Sequence, residues 1–221
     1  LVYEWWVRTF PQAEFKYVNA GIGGTTSQFG VARAQDDLLD AEPDFVIAEF
    51  SVNDESTGHF EETYEGLVRK ILSSKSHPAL MLVHNVCYNN GASAELVHSR
   101  IARHYNIPSV SMQSTLYKAL LNCRFDNRRI TPDDLHPNDC GHELVSMVIT
   151  KRLEQIKNTV KAEYETAKSQ RAAAQPDAGA AALLPEPLTA NAYEDSVRYQ
   201  NYNSTPELDG FKADMSEQRD I

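Results

Sequence analysis

Cysteine is scarce in this chain of 221 residues, which contains only Cys87, Cys123 and Cys140. Three cysteines at such wide spacing give neither the paired framework of a disulfide-stabilised domain nor the short-range clusters of a zinc site. The sequence therefore predicts reduced thiols, most of them buried, and excludes the small disulfide-rich and zinc-dependent classes of protein.

Basic charge and long apolar segments are lacking as well. Lysine and arginine number 21 against 31 acidic residues, which gives a net charge of −10, so a nucleic-acid partner is not expected. No apolar run approaches the roughly 20 residues of a membrane span, so we expect no membrane partner either. Because the chain begins with Leu1 in the middle of a helical pattern, a signal peptide cannot be assessed and the compartment stays open.

The pattern of apolar residues predicts strands that alternate with helices. Residues 44–51 and 79–83 are nearly continuous apolar runs, which are typical of strands buried on both faces of a sheet. The other predicted elements are short strands at 15–19 and 107–111 and helices at 1–10, 27–40, 64–72, 94–105 and from 141 onward. This alternation is typical of an α/β fold with helices on both faces of a parallel sheet, whose sites lie beyond the carboxyl ends of the strands.

Polar signals follow the first two predicted strands. Residues 19–27 read NAGIGGTTS, and their glycines allow backbone amides to approach a ligand closely. Asn53 and Asp54 follow the second strand, and an Asn side chain is a good donor toward an oxyanion. The plain structural alternatives are a glycine-rich turn and a helix cap.

The segment 133–142, which reads DDLHPNDCGH, carries the third signal. Asp133 precedes His136 by three residues, so its carboxylate can hold the imidazole in one tautomer and stabilise the protonated ring. Asn138 or Asp139 can cap the helix that follows. By itself this segment is equally consistent with a polar loop at the start of a helix.

Together and in this order, the three segments resemble the SGNH hydrolases, also called GDSL-type esterases. Residues 19–27 match the second block of that family, residues 51–54 the third and residues 133–136 the fifth. The resemblance implies a three-layer α/β/α fold with a parallel, flavodoxin-like sheet. It also implies hydrolysis of an ester through an acyl-serine intermediate, with no metal or organic cofactor.

The resemblance assigns the oxyanion hole to the first two segments. Gly24 would contribute a backbone amide and Asn53 a side-chain amide. Gly23 is the register alternative to Gly24. Ser51 stands where the family usually has glycine, a departure that lies outside the donor role.

The resemblance also assigns the proton-transfer pair. His136 would be the general base and Asp133 its orienting partner, with Asp134 as the register alternative to Asp133. His84 and Asn85 close the third predicted strand, and from that position we expect them to line the cleft and contact substrate. A purely structural role for these two residues is the competing interpretation.

The nucleophile block of the family is missing. Its serine belongs to a Gly-Asp-Ser turn upstream of the second block, whereas the first serine of this chain is Ser27, inside that block. We therefore expect that the chain is incomplete at its N-terminus, that it lacks the first strand and the nucleophile, and that it is inactive as given. An evolved pseudoenzyme is the rival explanation.

Composition changes after the last predicted helix. We predict an SGNH-type domain over residues 1–171 and an Ala/Pro-rich linker over 172–187, since alanine, proline and glycine dominate that stretch. Residues 188–221 are acidic, and they are either a disordered tail or the start of an incomplete β-rich domain.

The expected substrate is a small ester, and an acetylated carbohydrate is preferred over the lipids and thioesters that the family also uses. The competing class is a non-catalytic protein that holds a carbohydrate or acyl group in the same cleft.

Overall fold

A three-stranded parallel sheet is the centre of this structure, a computed structural model that describes residues 1–171, 184–191, 193–200 and 203–204. The strands are β1 (Phe45–Ala48), β2 (Ala79–His84) and β3 (Ser109–Ser111), in the order β1-β2-β3. Val46 pairs with Leu80 between β1 and β2, and Val83 pairs with Val110 between β2 and β3. The parallel α/β sheet that the sequence predicts is confirmed.

Six α-helices are described in these ranges. They are α1 (Val2–Thr9), α2 (Ser27–Asp37), α3 (Gly58–Leu72), α4 (Glu95–His104), α5 (Lys118–Leu121) and α6 (Asp139–Arg171). Short 3-10 turns cover Leu39–Ala41, Asn127–Arg129 and Tyr193–Asp195, and a π-helical turn covers Gln113–Tyr117. None of the helices in the described ranges has both the length and the apolar character needed to cross a bilayer.

Helices cover both faces of the sheet. Along β2, Leu80 and Leu82 belong to one apolar cluster, which α2, α3 and α4 complete, whereas Met81 and Val83 belong to a second cluster completed by α6. Successive side chains of a strand point to opposite faces, so a strand covered on both sides is apolar at every position. This explains the continuous apolar run in the sequence.

The predicted strand at residues 15–19 is not formed. The segment has no strand partner in the part of the chain that the structure describes, and Tyr17 is 69% exposed. A β-strand exists only through hydrogen bonds to a neighbour, and the outer edge of β1 is likewise unpaired within the described ranges. The strand prediction at 15–19 is therefore wrong for this structure, because apolar pattern alone does not supply a partner.

A segment near the end of the chain packs along α3, and we call its described residues 184–191 and 193–198 the strap. The carboxylate of Glu65, on α3, accepts hydrogen bonds from the backbone N–H groups of Leu188 (2.6 Å) and Thr189 (2.7 Å) and from the Thr189 hydroxyl. Glu65 is fully buried. Arg69, one turn further along α3, forms an ion pair with Glu194 of the strap.

Tyr193 of the strap packs directly on Gly66 of α3. A Cβ atom at Gly66 would lie 2.9 Å from the Tyr193 Cβ, so only glycine leaves room for the strap at this point. Most of the predicted linker, residues 172–183, lies outside the described residues, as do residues 205–221 of the predicted tail. The division into domain, linker and tail stays a prediction.

Candidate active site

Asp133 and His136 form a hydrogen-bonded pair on the loop that precedes α6. His136 Nδ1 lies 2.7 Å from Asp133 Oδ2, while Asp133 Oδ1 accepts the backbone N–H groups of His136 (2.8 Å) and Leu135 (3.1 Å). The His136 ring hydrogen bond, followed by these backbone donors, holds the pKa of Asp133 below its usual range. An ionised Asp133 makes Nδ1 the donor, so Nε2 of the neutral ring can accept a proton.

Asp134 has a different role from its neighbour. Its carboxylate contacts Arg128 Nη2 (3.0 Å) and Asn127 Nδ2, and its backbone carbonyl accepts from the Tyr88 N–H (2.7 Å). Asp134 also adopts the left-handed region at φ 71°, which aspartate tolerates better than most residues. The geometry therefore favours Asp133 over Asp134 as the partner of the His136 ring.

Hydrogen bonds at the start of α6 hold the two ends of the loop that carries Asp133 and His136. The Asn138 N–H donates to the Ile130 carbonyl (2.9 Å), and Asn138 Oδ1 accepts from the Gly141 N–H (3.0 Å), as a helix cap does. A Cβ at Gly141 would lie 2.2 Å from the Ile130 carbonyl oxygen, so glycine is required there. In this loop the His136 side chain lies at the surface and is 76% exposed.

The two predicted oxyanion donors lie on surface turns near the carboxyl end of β1. Gly24 adopts φ 68°, a conformation that strains other residues, and both Gly24 and Gly23 are exposed. Asn53 is exposed too, and its backbone N–H donates to the Phe50 carbonyl (3.1 Å), which fixes the turn after β1. The choice between Gly24 and Gly23, and the oxyanion role of Asn53, stay predictions.

A buried carboxylate next to Asn53 connects these two turns. Asp54 Oδ1 accepts from the Ser27 N–H (2.8 Å), and Asp54 Oδ2 contacts His98 Nε2 (3.0 Å). The ring of Tyr64 stacks on the His98 ring at 3.6 Å, and the Ser27 hydroxyl contacts Thr63 Oγ1 (2.7 Å). Sequence reasoning missed this network, although an aspartate directly after a buried strand and Asn53 was a usable signal.

His84 is buried and Asn85 is half-buried. His84 is 1% exposed, and burial, together with the nearby His98, lowers its pKa to about 4, so the ring is neutral and does not line an open cleft here. The Asn85 amide oxygen accepts a hydrogen bond from the Val86 N–H (2.9 Å). Within the described ranges neither side chain hydrogen-bonds to Asp133 or His136, and their substrate role stays a prediction.

The described residues bring no serine hydroxyl into hydrogen-bonding contact with His136. Ser27 is fully buried against Thr63, and Ser51 is fully buried with its hydroxyl donating to Glu49 (2.6 Å). Burial also raises the pKa of Glu49, in spite of the donors from Ser51. Nor do the described ranges group three His, Cys, Asp or Glu side chains closely enough to hold a metal ion.

A parallel α/β sheet with a His–Asp pair on a loop at its edge is typical of hydrolases that activate a nucleophile through such a pair. Residues 2–144 match the GDSL-like lipase/acylhydrolase family, and the chain belongs to that family of serine esterases. The resemblance to SGNH hydrolases is confirmed.

Individual relatives agree with this assignment. The thioesterase 1/protease 1/lysophospholipase L1 of Escherichia coli (strain K12) is 26% identical over 158 residues, which are 66% of this chain and 71% of the relative. The crystal structure of a two-domain esterase (CEX) active on acetylated mannans, co-crystallised with mannopentaose, is 60% identical with a TM-score of 0.84. This chain is covered to 99% in that comparison and spans 54%, about half, of the esterase.

The fold extends to a more distant enzyme. Axe2, an acetylxylan esterase from Geobacillus stearothermophilus, is 19% identical with a TM-score of 0.60, over 68% of this chain and 78% of its own.

Proposed function

We propose that the protein to which this chain belongs is a carbohydrate acetylesterase that removes acetyl groups from a mannan-type polysaccharide. The reaction uses a Ser-His-Asp mechanism, with His136 as general base, Asp133 as its orienting partner and a nucleophilic serine outside residues 1–221. Similarity to an esterase active on acetylated mannans supports the substrate class, since that esterase is 60% identical to this chain.

The observation that carries the proposal is the hydrogen bond between Asp133 and His136. The carboxylate accepts from four donors, two of them backbone N–H groups, so it is held in position to orient the ring before any substrate arrives. Fixing one tautomer is the function that an aspartate performs for the histidine of a catalytic triad. An exposed ring nitrogen opposite that hydrogen bond is where a serine hydroxyl has to approach.

In the proposed reaction the serine oxygen attacks the carbonyl carbon of the acetyl group, and His136 Nε2 takes the serine proton. The negative oxygen that develops is stabilised by the Gly24 N–H and by the side-chain amide of Asn53. The C–O bond to the sugar breaks as His136 returns the proton to the sugar oxygen, which leaves an acetyl-serine. Water then loses a proton to His136 and attacks the acetyl carbon, and as the bond to the serine oxygen breaks, His136 returns the proton to the serine, which leaves acetate and free serine.

Two observations support the position of the nucleophile outside this chain. Ser27 and Ser51 are fully buried with their hydroxyls engaged, and the outer edge of β1 is unpaired in the described ranges. A strand that ends in a serine-bearing turn would pair with that edge and place its carboxyl end beside Gly24 and Asn53. The protein of residues 1–221 alone is then inactive.

The test compares the full-length gene product with residues 1–221, using 4-nitrophenyl acetate and acetate release from acetylated mannan. We expect turnover by the full-length protein only, and we expect His136→Ala to leave at most the residual rate, on the order of 10³–10⁴ over water, that remains when a triad is broken. His142→Ala is the matched control, because it removes an exposed histidine on α6 only six residues away.

Hydrolysis by residues 1–221 alone, lost on replacing an internal serine, would contradict the proposed position of the nucleophile. A full-length protein that binds acetylated oligosaccharides without releasing acetate would instead be a non-catalytic binding protein. Release of acetate from acetylated xylan but not from acetylated mannan would reject the substrate class alone.

A further inference from the structure

We propose that Asp54 is a positioning residue that holds the two oxyanion donors, Gly24 and Asn53, in register with each other, and that His98 fixes the Asp54 carboxylate for this purpose. The inference rests on the proposed function, because it assigns those donors to an oxyanion hole.

The geometry places one carboxylate between the two turns. Asp54 directly follows Asn53, so its backbone belongs to the turn after β1. Its Oδ1 accepts the N–H of Ser27, the first residue of α2, three positions after Gly24. The 2.8 Å hydrogen bond therefore links the segment that presents Asn53 to the segment that presents Gly24.

The side chain at the N-cap position of α2 does not cap the helix. Thr26 occupies the N-cap position, where threonine commonly accepts a hydrogen bond from the first turn, yet its side chain makes no such bond. The N–H of Ser27, the first residue of the helix, donates to Asp54, 27 residues further along the chain. A long-range partner at this place ties two loops together, whereas a local cap would serve the helix alone.

His98 removes the rotational freedom of the carboxylate. Its Nε2 lies 3.0 Å from Asp54 Oδ2, and both side chains are 0% exposed. The Tyr64 ring stacks on the imidazole at 3.6 Å with an interplanar angle of 11°, so the imidazole cannot turn away. Hydrogen bonds are stronger in such a water-free interior than at the surface, and Asp54 is held at both oxygens.

Small displacements of oxyanion donors matter for rate. Loss of one donor lowers kcat by about 10²–10³, and a misplacement of about 1 Å costs on the order of 10². Asp54 contacts neither substrate nor nucleophile in the proposed reaction. Its effect must therefore appear in kcat, through Gly24 and Asn53, while KM changes little.

The experiment uses a matched pair at Ser27 in the full-length protein. Ser27→Pro removes the N–H that donates to Asp54, and the first position of a helix is where proline is otherwise well tolerated. Ser27→Ala removes the same hydroxyl contact with Thr63 but keeps the N–H. We expect Ser27→Pro to have a kcat on 4-nitrophenyl acetate about 10- to 100-fold below that of Ser27→Ala, at a KM within about threefold.

A second comparison separates positioning from stability. Asp54→Ala should lower kcat in the same way, whereas Glu65→Gln, at a buried carboxylate of α3 that holds the strap, should lower the melting temperature and leave kcat unchanged. If Asp54→Ala and Ser27→Pro lower the melting temperature with kcat equal to that of Ser27→Ala, Asp54 is merely structural and the inference is wrong.

Amide hydrogen exchange gives a readout that does not depend on turnover. Exchange of the Gly30 amide, which donates to the Thr26 carbonyl, and of the Asn53 amide, which donates to the Phe50 carbonyl, should be faster in Ser27→Pro and Asp54→Ala than in Ser27→Ala, and equal protection in all three would contradict the inference. If the unsubstituted full-length protein is inactive, or if His136→Ala leaves its rate unchanged, the proposed function fails separately, and the exchange result still decides whether Asp54 joins the two turns.

Discussion

The Glu65 carboxylate and the Leu188 backbone N–H lie 2.6 Å apart, although 123 residues separate them in the sequence. The same carboxylate accepts the Thr189 N–H and hydroxyl, and the Tyr105 hydroxyl donates to it from the end of α4. A fully buried carboxylate is stable only when its oxygens are satisfied, and here four donors do so. The Glu65 carboxylate is therefore one anchor of the strap, beside the Arg69–Glu194 ion pair and the contact of Tyr193 with Gly66.

Replacing Glu65 with alanine should destabilise the protein. The change leaves the partly buried Leu188 and Thr189 N–H groups without their acceptor, and loss of a hydrogen bond to a charged group costs about 1.5–3 kcal/mol. We expect the free energy of unfolding, measured with urea, to fall by roughly 2–5 kcal/mol. Glu163→Ala, at an exposed position of α6, is the control and should stay within about 0.5 kcal/mol of the parent. Equal stability of the two variants would contradict the anchoring role.

Acid should release the strap. Burial raises the pKa of Glu65, but the hydrogen bonds from Thr189, Tyr105 and Leu188 outweigh burial, so the pKa lies below its ordinary value of 4.5. A carboxylate with a lowered pKa stabilises the folded state fully above its unfolded pKa, and this contribution is lost as the pH falls through the folded pKa. The protection factors of the Leu188 and Thr189 amides, relative to the unfolded chain at the same pH, should therefore fall below about pH 4. Glu65→Gln should abolish that pH dependence, and a parent protein with pH-independent protection would reject it.

Replacing Gly66 with alanine should destabilise the protein. In an exposed helix interior, glycine to alanine usually stabilises by about 0.5–1 kcal/mol. At Gly66 the new Cβ would meet Tyr193 at 2.9 Å, and overpacking of this kind costs about 1–3 kcal/mol. Gly58→Ala is the matched control at the start of α3, because a Cβ there meets no atom within 4 Å. Thermal unfolding should rank Gly66→Ala below the parent and Gly58→Ala at or above it.

Two adjacent aspartates should differ in their effect on catalysis by the full-length protein. Asp133→Asn removes the acceptor that fixes the His136 tautomer, and the corresponding change in a triad lowers kcat by about 10⁴. Asp134→Asn loses a partly exposed ion pair with Arg128, an interaction worth about 0–1 kcal/mol to stability. Steady-state rates on 4-nitrophenyl acetate should separate the variants by several orders of magnitude. A larger loss in Asp134→Asn would reverse the assignment of the orienting partner.

Local pattern was sufficient for much of the fold and for one part of the site. The apolar runs at 44–51 and 79–83 predicted β1 and β2, of which β2 is covered on both faces while Ile47 of β1 is exposed. The hydrogen bond between Asp133 and His136 was predicted from a spacing of three residues, and it is present. In both cases the determining residues are neighbours in the sequence.

Long-range contacts were not predictable in the same way. Docking of the strap requires Glu65 and Gly66, whose partners lie more than a hundred residues away, and composition alone made the strap resemble a linker and an acidic tail. The apolar pattern at 15–19 predicted a strand, but a strand also needs a partner, and no local feature reports whether one exists. Asp54 was judged from its position beside Asn53, while its function in the fold depends on Ser27 and His98.

The distance in sequence between α3 and the strap has a consequence for synthesis on the ribosome. At about 5–20 residues per second, the 123 residues between Glu65 and Leu188 take roughly 6–25 s to add. During that interval α3 has been synthesised but the strap does not yet cover it. The Glu65 carboxylate is then in water, and the surface beside Gly66 is accessible to other chains. The emerging polypeptide therefore passes through a partly assembled state that chaperones can bind, and α3 is covered only after the strap has left the ribosome.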